Sequence, residues 1–405
     1  MNSPSSAGPG APSTADRVLA VIVAAAVHLA VLGPLADEGS VIVPPVFQPE
    51  AEAILDGALP YADRDFEYPP LALPVLLAPG LIADGQASYS EAFAWEMIVF
   101  DLAIVALLGF GLRAPPGRVW AAVGVYTAGV LVLSGFGAPE SVLDASLPLA
   151  RFDLVPAALV LAALIAREAG RSATWSALLA VGAAVKAFPL LLYPVLVRGE
   201  PRPLRVALAA LVPLAAVAVA VVAIGDEFGS AVGYHTGRDL QIETVAATPL
   251  LVAHLFGAPA SWGVGGGSYN LDAPGAETAR AITVALLVVG YVLVVWAAWR
   301  SQAPPLVAAT AVLAVVVILA PVLSPQFLLW LLPVSAAVYG LRIQNVVLLA
   351  AVFLTQVVLD HYDELAGLSD GFIAPLAVRN ALLLCYLALV VAPLVSARHA
   401  RLQPA

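Results

Sequence analysis

Along the chain, apolar residues come in long continuous runs rather than in alternation. Runs near 17–34, 92–112, 119–135, 152–166, 205–224, 281–299, 306–322, 326–341, 344–360 and 375–396 are built mostly from Ala, Val, Leu and Ile. A stretch of about 20 such residues crosses the hydrocarbon core of a bilayer as a helix. The runs therefore predict an all-α polytopic integral membrane protein. A transmembrane barrel would show segments of about 10 residues with apolar and polar positions alternating.

Three further apolar stretches fit poorly as crossings. Residues 69–84, "PPLALPVLLAPGLIAD", hold four prolines, which break a straight span, and read as an interfacial or re-entrant part of a long outer loop, 35–91. "TPLLVAHLFG" at 248–257 is too short to cross and is placed in a second outer loop, 225–280. "TWSALLAVGAAVKAFPLLLYPVLV" at 174–197 has arginines on both flanks. A single crossing would put basic residues on both sides, so a broken hairpin turning near Lys186 and Pro189 is expected instead.

Charge orients these elements. Arg17, Arg113, Arg118, Arg167, Arg171, Arg198, Arg202, Arg205, Arg300, Arg342, Arg398 and Arg401 fall at one set of run ends, and they are twelve of the eighteen basic residues. Basic residues resist translocation, so this side and both termini are read as cytoplasmic. Most carboxylates fall on the other side. The hydrophobic share of 61%, mean hydropathy of +0.94 and net charge of -10 argue for membrane lipid as the surroundings and against a nucleic-acid partner. The lone Cys385 can form no internal disulfide. Residues 1–16 are rich in Ser, Pro, Gly and Ala and read as a disordered cytoplasmic tail. Residues 17–35 read as an uncleaved anchor, 17–396 as a single transmembrane domain and 397–405 as a second tail.

Charges inside apolar runs cost about 2.5–3.5 kcal/mol on insertion scales and mark candidate sites. They are Glu96, Asp101, Lys186 and Arg379. Asp101 reads as a helix-to-helix hydrogen-bonding group. Lys186, the only lysine, either serves at the outer face or pairs with a buried acid such as Asp101; Arg379 either functions in place or snorkels outward. "GYHTGRDLQIET" gathers Tyr234, His235, Arg238, Gln241 and Glu243, with His235 and Arg238 at a spacing that shares a face on a helix. "LARFDL" places Arg151 and Asp153 at an outer run end, and "LSPQFLLW" sets Ser324, Pro325 and Gln326 in an outer turn. Arg151, Lys186, His235 and Arg238 thus form a cationic set suited to an anionic headgroup such as a phosphate. No metal-ligand cluster, H-E-x-x-H or G-x-S-x-G pattern is present, and "GVGGGSYN" lacks the Lys and Ser/Thr of a P-loop and reads as a flexible loop.

"ILDGALPYADRDFEYPPLALP", "ARFDLVPAALV", "AAVKAFPLLLYPVLV", "YHTGRDLQIET" and "SPQFLLWLLP", in that order, resemble glycosyltransferase family 87, membrane enzymes of the GT-C superfamily that include mannosyltransferases. The resemblance covers roughly residues 17–396. It implies a GT-C-like helical bundle with a long first extracytoplasmic loop. It also implies a polyprenyl-phosphate-linked sugar as donor and a glycolipid or glycan as acceptor. Transfer, with inversion, would take place on the extracytoplasmic face of the cell membrane, with no metal or other cofactor demanded. Such a transfer needs a carboxylate as base and cations for the departing phosphate. The family's aspartate after the first span has no counterpart in "SVIVPPVFQP". The base is then sought among Asp37, Glu38, Glu50, Asp65 and Glu67, with Asp37, Glu38, Asp65 and Glu67 as catalytic candidates and Arg151, Lys186, His235 and Arg238 as donor-phosphate candidates. The rival readings are a transporter or flippase of a lipid-linked or anionic solute and a non-catalytic member of the family.

Overall fold

The computed structural model describes residues 14–38, 43–63, 66–83, 85–135, 146–224, 238–301 and 303–396. Its chain is helical almost throughout: α1 Thr14–Glu38, α2 Val43–Leu55, α3 Ala72–Gly80, α4 Gln86–Ala106, α5 Pro116–Leu133, α6 Leu147–Ala150, α7 Leu154–Glu168, α8 Ser172–Val185, α9 Tyr193–Leu196, α10 Pro203–Ile224, α11 Thr248–His254, α12 Ala276–Arg300, α13 Pro305–Ile318, α14 Leu328–Tyr339, α15 Ile343–Asp360 and α16 Asp370–Val395. All ten expected runs fall on helices. Six of these helices are long and apolar enough to cross a membrane, α4 doing so with the π-helical extension Leu107–Gly111. The protein is an all-α polytopic membrane protein.

The chain at 174–197 doubles back. Helix α8 ends at Lys186, whose extended backbone breaks the helix, and a 3-10 segment, Phe188–Leu192, leads into α9. Glu200, just beyond this returning leg, accepts hydrogen bonds from Ser172 Oγ (2.7 Å) and Trp175 Nε1 (3.2 Å) at the start of α8. The two ends of the segment therefore meet, and Lys186 sits at the tip. The returning leg covers the distance in fewer residues because a 3-10 helix rises about 2.0 Å per residue against about 1.5 Å in an α-helix.

The described parts of the segments expected as outer loops are packed against the bundle. α3 packs under α2 and α4, and the Leu71 amide donates to the Ala184 carbonyl (2.9 Å), satisfying one of the open carbonyls at the end of α8. The glycine run is not a loose loop. It forms a β-hairpin, β1 Ser261–Gly265 and β2 Ser268–Asp272, because Gly266 and Gly267 supply the positive φ values (56° and 66°) that a tight two-residue turn requires. One large core runs through the bundle. A smaller one, including Leu240, Ile242, Leu251, Leu271, Phe372 and Leu376, holds the hairpin and α11 against α16.

Candidate functional site

Five sequence segments converge at the tip of the broken hairpin. The Lys186 ammonium donates to Asp153 Oδ1 at 2.7 Å. The same oxygen accepts the Trp330 indole N–H at 2.6 Å. Lys186 Nζ also lies over four rings, at 5.0 Å from Phe152, 5.3 Å from Trp330, 5.5 Å from Phe327 and 6.0 Å from Tyr68. Phe327 and Trp330 are three apart, so the helical turn there sets them on one face, with ring centroids 4.3 Å apart. Aromatic faces attract a cation, so the cage holds the ammonium in place without neutralising it. Asp153 is buried, and 17% of the lysine side chain stays accessible.

Arg151 precedes Asp153 by two residues and lies over Phe47 at 5.8 Å. Tyr68 feels the charges of both Arg151 and Asp153. Burial, then the carboxylate of Glu67, hold its phenol well above its ordinary value, so it stays protonated and hydrogen-bonds to Glu67. The loop that delivers these residues is braced by Tyr61, whose hydroxyl donates to the Tyr68 carbonyl. Tyr61 has φ of 71°, an uncommon conformation for a side chain of that size. Such strain collects where a loop must present groups in one geometry.

Of the donor-phosphate candidates, Lys186 and Arg151 share this site, and Glu67 joins them from the catalytic candidates. Asp37 lies apart on the exposed end of α1, accepting the Trp95 indole N–H at 3.0 Å. Glu50 is half-buried on α2. Asp65, His235 and the side chain of Glu38 lie outside the described residues. Arg238 is neither helical nor part of the lysine cage; its carbonyl accepts from Arg280 Nε (2.6 Å) beside the hairpin. The expected face shared by His235 and Arg238 thus has no helix at Arg238 to carry it.

The structure decides between the alternatives open for Lys186 and Arg379. Lys186 pairs with Asp153, not Asp101, because Asp101 is bound elsewhere: it holds His28 Nδ1 and the Tyr126 hydroxyl (2.7 Å), joining α1, α4 and α5. That is the structural role expected of it. Arg379 does not snorkel. It is fully buried and donates to Glu243 Oε2 at 2.9 Å and to the Glu243 carbonyl, while the Tyr362 hydroxyl donates to the other carboxylate oxygen. Asn380 adds bonds to the Glu243 and Thr244 carbonyls (3.1 and 3.2 Å). Glu96 is half-buried on α4, its Oε2 meeting no hydrogen-bond partner among the described residues.

Residues 66–325 match glycosyltransferase family 87, more than half of the chain. The protein belongs to this family. Residues 261–394 also match the MptB C-terminal domain. No curated protein is significantly similar to the chain. Membership makes it a membrane glycosyltransferase, and the family match contains Tyr68, Phe152, Asp153 and Lys186 of the cage, while Phe327 and Trp330 lie just past its end. Tyr68, Phe327 and Trp330 were not singled out from the sequence, and Asp153 was noted beside Arg151 without a role in the site. The spacing of Phe327 and Trp330 in "SPQFLLW" is the signal that could have raised those two.

Proposed function

We propose that this glycosyltransferase takes its sugar from a polyprenyl-phosphate donor and transfers it, with inversion, to a hydroxyl of a glycolipid or glycan at the extracytoplasmic face of the cell membrane. The observation that carries this reading is the caged Lys186. An ammonium has three N–H groups, and the Asp153 bond uses one, so the accessible part of the side chain has donors left for a phosphate oxygen. Arg151 adds a second cation beside it. Both would stabilise the charge that grows on the phosphate as the C1–O bond breaks.

Glu67 is the base of this proposal. It is the carboxylate among the described catalytic candidates that is tied to the cage, through the protonated Tyr68, which hydrogen-bonds to it, feels the charge of Arg151 and has its ring 6.0 Å from Lys186 Nζ. Glu67 takes the proton of the acceptor hydroxyl while that oxygen forms the new bond to C1 from the face opposite the phosphate. The products are the inverted glycoside and polyprenyl phosphate. Asp153 is a poorer base, since its Oδ1 already holds both Lys186 and Trp330.

The test uses the full chain in membranes with polyprenyl-phosphate mannose, glucose and arabinose, followed for transfer and for donor hydrolysis. Glu67→Gln is expected to lower transfer by about 100- to 10,000-fold with donor binding retained. A wild-type protein that moves no sugar from any of these donors overturns the reading.

A further inference from the structure

The β-hairpin has two unlike faces. Cross-strand partners lie on the same face of a sheet, so Trp262, Leu271 and Tyr269 share one side and Gly263, Asn270 and Asp272 the other. The first side is packed at its Leu271 end, which is buried in the smaller core, and the Tyr269 ring lies 5.9 Å from that of Tyr362, while Val264 on the same side is exposed. The second side, with Val264 and Leu271 of the first, forms one wall of an open cavity of about 550 Å³, bordered by Asp239 and by the first turn of α12 with Glu277 and Arg280.

Gly263 explains why the cavity is open. A Cβ at this position would meet nothing within 4 Å, and its φ lies outside the region reserved for glycine. Neither packing nor backbone geometry therefore demands glycine here. Glycine inside a strand weakens it and often marks a close approach by a ligand or another backbone. Among the described residues no atom makes that approach, so what the glycine preserves is the space itself.

The chemistry of the walls narrows the occupant. Three carboxylates, Asp239, Asp272 and Glu277, face one guanidinium, Arg280, a balance that repels phosphate and other anions. Carboxylates are acceptors only and suit a ligand rich in hydroxyl donors. The volume lies within the ~300–1,000 Å³ of small-molecule sites and far exceeds one ion. Hydrogen bonds also tie the cavity wall to the segment that leads into the lysine cage. Asp239 leads to Gln241, whose amide donates to the Pro321 carbonyl (3.0 Å) and whose Oε1 accepts the Leu323 amide (2.6 Å). That turn carries Phe327, which lies over Lys186.

We propose that this cavity binds the neutral, hydroxyl-rich sugar headgroup of the acceptor, an assignment that rests on the transfer reaction proposed above. Saturation-transfer NMR on the purified full chain in detergent tests it, with mannotriose, maltotriose and an arabinose trisaccharide as probes and inorganic phosphate and Ca²⁺ as competitors. Wild type is expected to bind at least one trisaccharide, undisturbed by phosphate. Gly263→Leu, which points a side chain into the cavity, is expected to weaken that binding by about tenfold or more. Asp272→Asn keeps the shape and removes a charge, and is expected to weaken it about threefold or more, so the test does not hang on the folding of one variant. Absence of trisaccharide binding by wild type, undiminished binding by both variants, or displacement of the sugar by phosphate or by equimolar Ca²⁺ overturns the proposal. Donor hydrolysis, measured in parallel, separates the two claims. Hydrolysis without trisaccharide binding refutes the cavity alone, whereas cavity binding without activity towards any donor refutes the acceptor role together with the transfer reaction.

Discussion

The two ends of the bundle use basic residues in opposite ways. At one end, arginines close off backbone. Arg17 donates to the carbonyls of Gly109 (2.9 Å), Leu112 (2.8 Å) and Ala114. Arg167 donates to those of Leu196 (2.7 Å) and Arg198 (2.9 Å), and Arg118 to that of Val338 (2.9 Å). Arg198 reaches the carbonyls of Ala298, Ser301 and Ala303. Each meets the open carbonyls and negative dipole end where helices stop. At the other end Lys186 and Arg379 meet carboxylates instead, in buried or ring-lined surroundings. Arginine at a helix end thus serves helix closure, whereas a cation drawn inside the fold against an acid either locks tertiary structure or waits for a ligand.

Experiments can break this contrast in order of expected size. Arg379→Met strands the buried Glu243 carboxylate, and breaking such a pair costs about 3–5 kcal/mol; thermal unfolding in detergent should show the largest fall of the set. Replacing both partners, Arg379→Met with Glu243→Leu, should recover part of it. A single variant as stable as wild type would mean the pair is not a lock. Lys186→Met should act on ligand instead of fold, weakening binding of a polyprenyl-phosphate donor by about tenfold or more, as expected for a lost charge-assisted contact of ~1.5–3 kcal/mol. Unchanged donor affinity there would remove the distinction between the two ends.

Arg198→Lys keeps the charge but loses the planar fork that reaches three carbonyls, and should cost about 1–2 kcal/mol of stability with donor affinity unmoved. The smallest effect is in pH. Burial pushes the Glu200 carboxyl up, but hydrogen bonds from Ser172, Trp175 and the Arg202 amide, with the charge of Arg167, outweigh it and hold the group below the usual carboxylate range. A depressed value contributes stability that is complete above the unfolded-state value of about 4.3 and lost as pH falls through the folded one. The unfolding midpoint should therefore drop in acid, and Glu200→Gln should flatten that part of the profile. An identical profile in the variant would assign the acid loss to other carboxyls.

Much of this fold was written in short-range pattern. The ten apolar runs became helices because about 20 Ala, Val and Leu residues in sequence leave a chain in lipid no better way to pair its backbone. The broken hairpin followed from arginines on both flanks of a run carrying Lys186 and Pro189. The hairpin of β1 and β2 was missed because consecutive glycines read equally as slack or as a tight turn, and only the packed face with Leu271 decides between them. The site was half legible. Lys186 and Arg151 stood out as charges in unusual places, but Asp153 meets Trp330 across 177 positions and Arg379 meets Glu243 across 136. No local spacing encodes contacts that span such distances; they exist only once the helices have assembled.

The doubled-back segment also bears on how the protein is made. Its outward leg, α8, is 14 residues long, short of the ~20 that insert as an independent span, and the turn between the legs carries a charge. Neither leg is a stable passenger in lipid alone. Helices α7 and α10, which flank α8, and Asp153, which meets the lysine, provide the surroundings that make its buried position tolerable. Biogenesis is then expected to run out of chain order, with the segment settling only once α10, synthesised later, stands beside it, and with the lysine cage closing late in assembly.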